Sequence, residues 1–202
     1  MSPALLIDTS AVFAFQQFLK AHDYPVQSNI DYGALLAAVK SRYAPQPAFE
    51  PMFAFVAIDP EHEGQRKFTT FLDKKLGFLV DETDFRDAFV LPNRESSYQR
   101  LSTRVTYVAG LLAHKQPDLV VVTDAFDVYF PLVDYVQHRG GRVTLAFFRR
   151  GLEERWQRTG LFEGKSPIEF LDLSADSDAI IGTDLSLGHS EKGRTGLGRF
   201  KI

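Results

Sequence analysis

Apolar residues in this chain fall into short unbroken runs separated by stretches of helical spacing. Leu5, Leu6 and Ile7 run straight into Asp8, and residues 119–122 run through Thr123 into Asp124, with Asp127 three residues further on. Runs this short, rich in branched side chains, predict strands buried on both faces, as in a parallel sheet covered by helices. After Asp8, the positions of Val12, Phe13, Phe15, Phe18 and Leu19 predict a first helix capped by the hydroxyls of Thr9 and Ser10. A second helix opens at residues 29–32, with Leu35, Leu36 and Val39 on its apolar side, and two prolines make residues 44–47 a loop. Residues 53–58 predict a strand. Phe68, Phe71, Leu72 and Leu76 then recur at helical spacing until Gly77 ends the run.

A short strand is expected at 78–80, followed by a long polar loop over 81–99. Ser102 and Thr103 are expected to cap a helix reaching His114, and Pro117 turns the chain into the acid-tipped strand. A helix at 128–139, the pair Gly140-Gly141, a strand at 142–148, a helix at 152–157 and an edge strand at 168–173 complete the pattern. The alternation predicts an α/β three-layer sandwich with a mainly parallel sheet and helices on both faces. It also predicts a division into a folded domain, 1–175, and a flexible C-terminal tail, 176–202, where apolar content falls away. In such sheets ligands bind beyond the carboxyl ends of the strands. Asp8, Asp124 and Asp127 fall there, and crowded carboxylates either share protons or hold a cation.

Composition narrows the chemistry. The 202 residues include 45% hydrophobic residues and 18 Phe, ample for one core, and no Cys, which excludes disulfides, thiolate catalysis and sulfur-bound zinc. The five His are scattered without ligand spacing. No apolar run nears the roughly 20 residues that span a bilayer, so no membrane partner is expected, and a cysteine-free chain suits the cytoplasm. A net charge of −3 names no partner by itself. Local charge says more: Arg139, Arg142, Arg149, Arg150, Arg155 and Arg158 cluster around Phe147, Phe148 and Trp156. Arg149 and Arg150 follow a strand and should emerge at the same edge as the acids, where arginine suits phosphate. Phe147 and Phe148 themselves fit the core better.

Four stretches together resemble the NYN domains, a branch of the PIN-like nuclease superfamily, from about Ala4 to Leu173. Residues 5–10 (LLIDTS) are similar to that family's opening strand with its metal-binding Asp, and 30–36 (IDYGALL) to its second-helix entry. Arg104 stands where the family has a basic residue, ahead of Val105 and Thr106. Residues 121–136 (VVTDAFDVYFPLVDYV), then Arg139-Gly140-Gly141-Arg142-Val143, resemble the family signature of strand, acidic pair, Pro-Leu, helix, Gly and strand. The resemblance implies a PIN-like, Rossmann-like topology of strand order 3-2-1-4-5, which makes the two acid-tipped strands neighbours. It further implies an endoribonuclease acting on RNA with Mg²⁺ or Mn²⁺, its metal and catalytic residues being Asp8, Asp127 and Asp124. Ser10, Thr123, Arg149, Arg150 and Arg104 would then bind substrate.

The chain departs from the family at Ala11, where Asn is usual, and at Thr106, where an acid is usual. Its acidic pair is also one residue longer, as Asp124-Ala125-Phe126-Asp127. These losses suit a second reading, a degenerate PIN-like module that binds RNA or a protein partner. The tail, with Lys192, Arg194, Arg199 and Lys201 among Leu197, Phe200 and Ile202, has the composition of a docking peptide for a protein partner, and a homodimer is compatible with the sequence. A nucleotide-binding enzyme is disfavoured because no Gly-rich phosphate loop follows the first strand.

Overall fold

The first apolar run forms β1 (Ala4–Asp8), buried at all of its positions, as a strand with helices above and below must be. The structure, a computed structural model, describes residues 2–22, 29–43, 48–59, 61–84, 94–115, 117–149, 152 and 168–182; the side chains at 21–22, 84, 94–100 and 127–128 are outside that description. β1 passes directly into α1 (Thr9–His22). Then come β2 (Asn29–Ile30), α2 (Tyr32–Arg42), β3 (Met52–Ile58), α3 (Glu63–Leu76), β4 (Leu79–Asp84) and α4 (Arg94–Leu112). β5 (Asp118–Val122), α5 (Phe126–His138), β6 (Arg142–Phe147) and β7 (Glu169–Asp172) follow. A 3₁₀ turn, a short helix α6 (Ser177–Ile180) and β8 (Ile181–Gly182) end the described chain.

The main sheet has the order β4-β3-β1-β5-β6-β7, and every neighbouring pair is parallel. All carboxyl ends therefore lie along one edge. Right-handed crossovers put α1 to α3 on one face and α4 and α5 on the other, giving the expected three layers. The order differs from 3-2-1-4-5 in detail. β7 extends the sheet by a sixth strand, and β2 belongs to a separate antiparallel ribbon with β8.

Several boundaries are corrected. The expected polar loop over 81–99 is not one loop: Asp81 and Glu82 lie in β4, paired with β3, and α4 starts at Arg94. An edge strand needs no apolar run, which is why its polar sequence hid it. Ser102 therefore sits inside α4 and caps nothing. At α1 the capping oxygen belongs to Asp8, not to a hydroxyl. Residues 29–30 form strand rather than opening α2, whose cap is Asp31. The folded part does not stop at 175. Ile180 and Ile181 are buried, and the Ile180 carbonyl accepts the Asp31 N–H at 2.7 Å. The expected helix at 152–157 and the tail from 183 onward lie outside the described residues.

Two glycines close α5 in different ways. Gly140 takes φ +77°, and its N–H bonds the Gln137 carbonyl at 2.9 Å, a left-handed C-terminal turn. Gly141 has no such angle, but a Cβ there would lie 2.1 Å from the Pro117 carbonyl oxygen. Gly141→Ala must therefore push apart the turns that start β5 and β6. It should cost about 3 kcal/mol or more, against about 1 kcal/mol for Gly140→Ala. Urea unfolding of both variants checks the order; equal costs would mean that the backbones do not approach so closely.

Candidate metal centre

Where β1 becomes α1, the side chain of Asp8 closes the helix. Its Oδ1 accepts the N–H of Ser10 at 3.0 Å, the hydroxyl of Ser10 at 2.5 Å and the N–H of Ala11 at 3.3 Å. These amides have no partner within the helix, so a carboxylate there is favoured by hydrogen bonding and by the helix dipole. Thr9, next along, turns the other way and donates its hydroxyl to the Phe55 carbonyl on β3 at 2.8 Å. The other oxygen of Asp8, Oδ2, receives a long hydrogen bond from the Ser102 hydroxyl, 3.4 Å away. Capping and ligand binding are thus not alternatives for this residue, because each has its own oxygen.

On the adjacent strand Ile7 pairs with Val122, so Thr123 is level with Asp8, and Asp124 stands one residue beyond the edge. Thr123 is fully buried, and its Oγ1 accepts the Ala125 N–H at 3.2 Å. Asp124 is half-buried, and its charge reaches Asp8. Two tyrosines close the space. Tyr32, at the start of α2, and Tyr129, in α5, are buried, and burial followed by the charge of Asp8 pushes both hydroxyls up. Sequence reasoning missed both tyrosines and Ser102. Tyr129 could have been found: with Phe126 three before and Val133 four after, it lies on the inner face of α5.

Burial dominates the electrostatics of Asp8. It raises the carboxyl from an ordinary 3.8 to about 6, Asp124 adds to the rise, and the Ser10 and Ala11 donors oppose it. The pairing of β1 with β5 puts Asp8 and Asp124 at the same sheet edge, and the charge of Asp124 acts on Asp8. Asp127 lies in the first turn of α5, its side chain outside the described residues. Among the described residues no group of three or more His, Asp or Glu gathers to hold a metal. Two carboxylates remain compatible with Mg²⁺, which is commonly held by one or two and keeps several waters. The buried, disfavoured charge of Asp8 is what a cation would relieve.

The expected substrate residues divide. Ser10 serves Asp8, and Thr123 holds the turn into α5. Arg149 is exposed at the same sheet edge, its N–H bonded to the Ser174 hydroxyl at 2.9 Å. Arg150 lies outside the described residues. Arg104 is turned elsewhere, its Nε donating to both oxygens of Asp81 at 3.1 and 3.0 Å. Thr106 is also displaced from the site: its hydroxyl donates to the Ser102 carbonyl at 2.8 Å, so it sits one turn, about 5–6 Å, along α4. The position on α4 that meets Asp8 is Ser102. Phe147 and Phe148 are core residues, with Phe148 stacked on Phe15 at 4.2 Å between centroids.

No protein-family model matches the chain, and no curated protein sequence matches it. The fold is similar to the crystal structure of a protein of unknown function from Vibrio parahaemolyticus. That match has a TM-score of 0.57 and 18% identity, and covers 87% of this chain and 94% of the other. The likeness concerns the fold alone.

Because the folded protein binds the Asp8 proton more tightly than the unfolded chain, the stability from this group is full below about pH 3.8 and lost as pH rises through about 6. The loss is on the order of 3 kcal/mol. Asp8→Asn keeps a capping oxygen and has no proton to lose, so the gap between variant and wild type should shift in favour of the variant across that window. Urea unfolding at a series of pH values measures it. A gap that does not change with pH would mean that the carboxyl titrates normally.

Proposed function

We propose that this chain is a slow, divalent-metal-dependent endoribonuclease of the NYN/PIN-like type, acting on single-stranded RNA in the cytoplasm. The observation that supports it best is Asp8. A carboxylate is buried at the carboxyl end of a central strand, with one oxygen spent on the helix cap and the other meeting only a long contact from Ser102 among the described residues, while the charge of Asp124 acts on it. In this reading Asp8 and Asp124 hold Mg²⁺ or Mn²⁺, with Asp127 on the first turn of α5 as a further ligand. The ion, when bound, supplies a more acidic water and neutralises charge on a phosphodiester. Ser10 fixes the carboxyl plane of Asp8, Thr123 shapes the floor of the site, and the exposed Arg149 contacts the RNA backbone.

Slow turnover follows from the ligand set. An ion on few carboxylates is loosely positioned, and misplacement by about 1 Å can cost 10²-fold in rate. The second reading, a degenerate module that binds RNA or a protein partner without cleavage, is favoured by Ser102, a neutral residue at the α4 position that meets Asp8. In either reading the basic and apolar residues 191–202 are a docking segment for a protein partner.

With labelled single-stranded RNA, cleavage should be greater in Mn²⁺ than in Mg²⁺ and absent in EDTA. Asp8→Asn or Asp124→Asn should lower the rate by about 10²-fold or more, and Ser102→Asp should raise it by adding a carboxylate. Cleavage that persists in EDTA would sink the nuclease reading. RNA binding without cleavage in either metal, unimproved by Ser102→Asp, selects the degenerate module.

A further inference from the structure

The outer surface of α4 carries an apolar face away from the acidic site. Among the described residues five large apolar or aromatic side chains are exposed, and three of them lie on the layer of α4 and α5: Tyr107 at 61%, Leu111 at 55% and Tyr135 at 39%. Tyr107 and Leu111, four apart on one helix, adjoin. His114, one turn beyond Leu111, meets Tyr135 of α5 edge to face, with centroids 6.0 Å apart and Nε2 3.1 Å from the Tyr135 hydroxyl. The Arg139 guanidinium stands over the Tyr135 ring, 5.7 Å from its centroid. The three side chains expose on the order of 300 Å², a size at which a patch on a monomer is often functional.

Gly110 leaves a gap on the same side of α4. A glycine inside a helix weakens it relative to alanine, and a Cβ at Gly110 would meet nothing within 4 Å. Nothing near it within the molecule calls for the missing side chain. The face therefore holds two projecting side chains and an unfilled gap within one turn of each other. We infer that α4 packs across α4 of a second copy about a two-fold axis near Gly110, with Tyr107 and Leu111 of each copy seated over the glycine of the other. A two-fold contact needs one patch that is its own complement, and projection and gap on one helix meet that demand. Close approach of two helices needs a small residue on each, which two copies of Gly110 supply. The centre of the face is uncharged, which suits an apolar partner better than a phosphate backbone. Its rim holds both signs, Lys115 and Arg139 with Asp134, so like charges do not drive two copies apart. A standard interface covers about 800 Å² per partner. The apolar patch is thus only its core, and the dimer is weak and concentration-dependent. The metal-centre reading plays no part in this contact.

The test is sedimentation equilibrium of the full chain over a concentration series, with thermal unfolding in dilute solution, for wild type, Leu111→Glu and Gly110→Ala. The wild-type mass should rise from 22.8 kDa toward twice that value as concentration increases. Leu111→Glu, at an exposed position, should fold and remain at 22.8 kDa throughout. Gly110→Ala should melt higher than wild type when dilute, because alanine favours the helix and has room, yet dimerise about tenfold more weakly. Wild type that stays at 22.8 kDa at every concentration overturns the proposal, whether the chain's own tail or nothing covers the face. A dimer that either variant leaves unweakened overturns it as well, since the contact then lies elsewhere. Gly110→Ala that melts lower than dilute wild type overturns the role of the gap, which would then be needed within the fold. Wild type that gains mass only with added single-stranded RNA, an effect lost in Leu111→Glu, overturns the proposal and assigns the face to nucleic acid.

Discussion

The structure is organised around one junction, where the central strand becomes a helix with no intervening loop. A carboxylate at that point must satisfy the amides of α1 and must also lie inside the protein, because β1 is covered on both faces. These two demands pull the charge of Asp8 in opposite directions. Amides and helix dipole favour the anion, burial favours the acid, and burial wins. The polar side chains around it, Ser102, Thr123 and the two tyrosines, are buried with it and lie where that contest is decided. The neighbouring strand, in register through Ile7 and Val122, then decides which second carboxylate can join.

The sheet was legible because its inner strands are continuous apolar runs, which few other structures require. α3 was legible to its last residue, since Gly77 takes φ +76° where the run of spaced apolar residues ends. The errors share a physical origin. β4 and the start of α4 carry polar side chains because they lie at an edge or extend past the core, so periodicity had nothing to register there. β2 and β8 are each two residues long and pair only with each other, a contact between distant parts of the chain that no local pattern announces.

The site was legible in part for a similar reason. Asp8 and Asp124 stand at the ends of the clearest runs, so their place on the sheet follows from the strands. Ser102 was misread because a serine beside a threonine before apolar spacing is the usual mark of a helix start; here the helix had begun at Arg94. The partner of Arg104 could not be read because charge gives no direction. Its pairing with Asp81 depended on β4 reaching further than its apolar residues suggested. Thr106 drew attention as a missing acid; in the structure it is Ser102, four residues earlier on α4, whose hydroxyl meets Asp8.

The β2–β8 ribbon also bears on the order of assembly. It joins Ile30 to Ile181, and the Ile180 carbonyl holds the amide of Asp31, the residue before Tyr32. Closing so long a loop carries an entropic cost that local contacts do not. Synthesis adds a stricter condition, since Ile181 leaves the ribosome long after β1 and α2 do. The clasp beside Tyr32, and with it one wall of the acidic site, can close only once Ile181 has been made. A nascent chain truncated just before Ile180 would contain both aspartates and all six strands of the main sheet, yet lack the clasp.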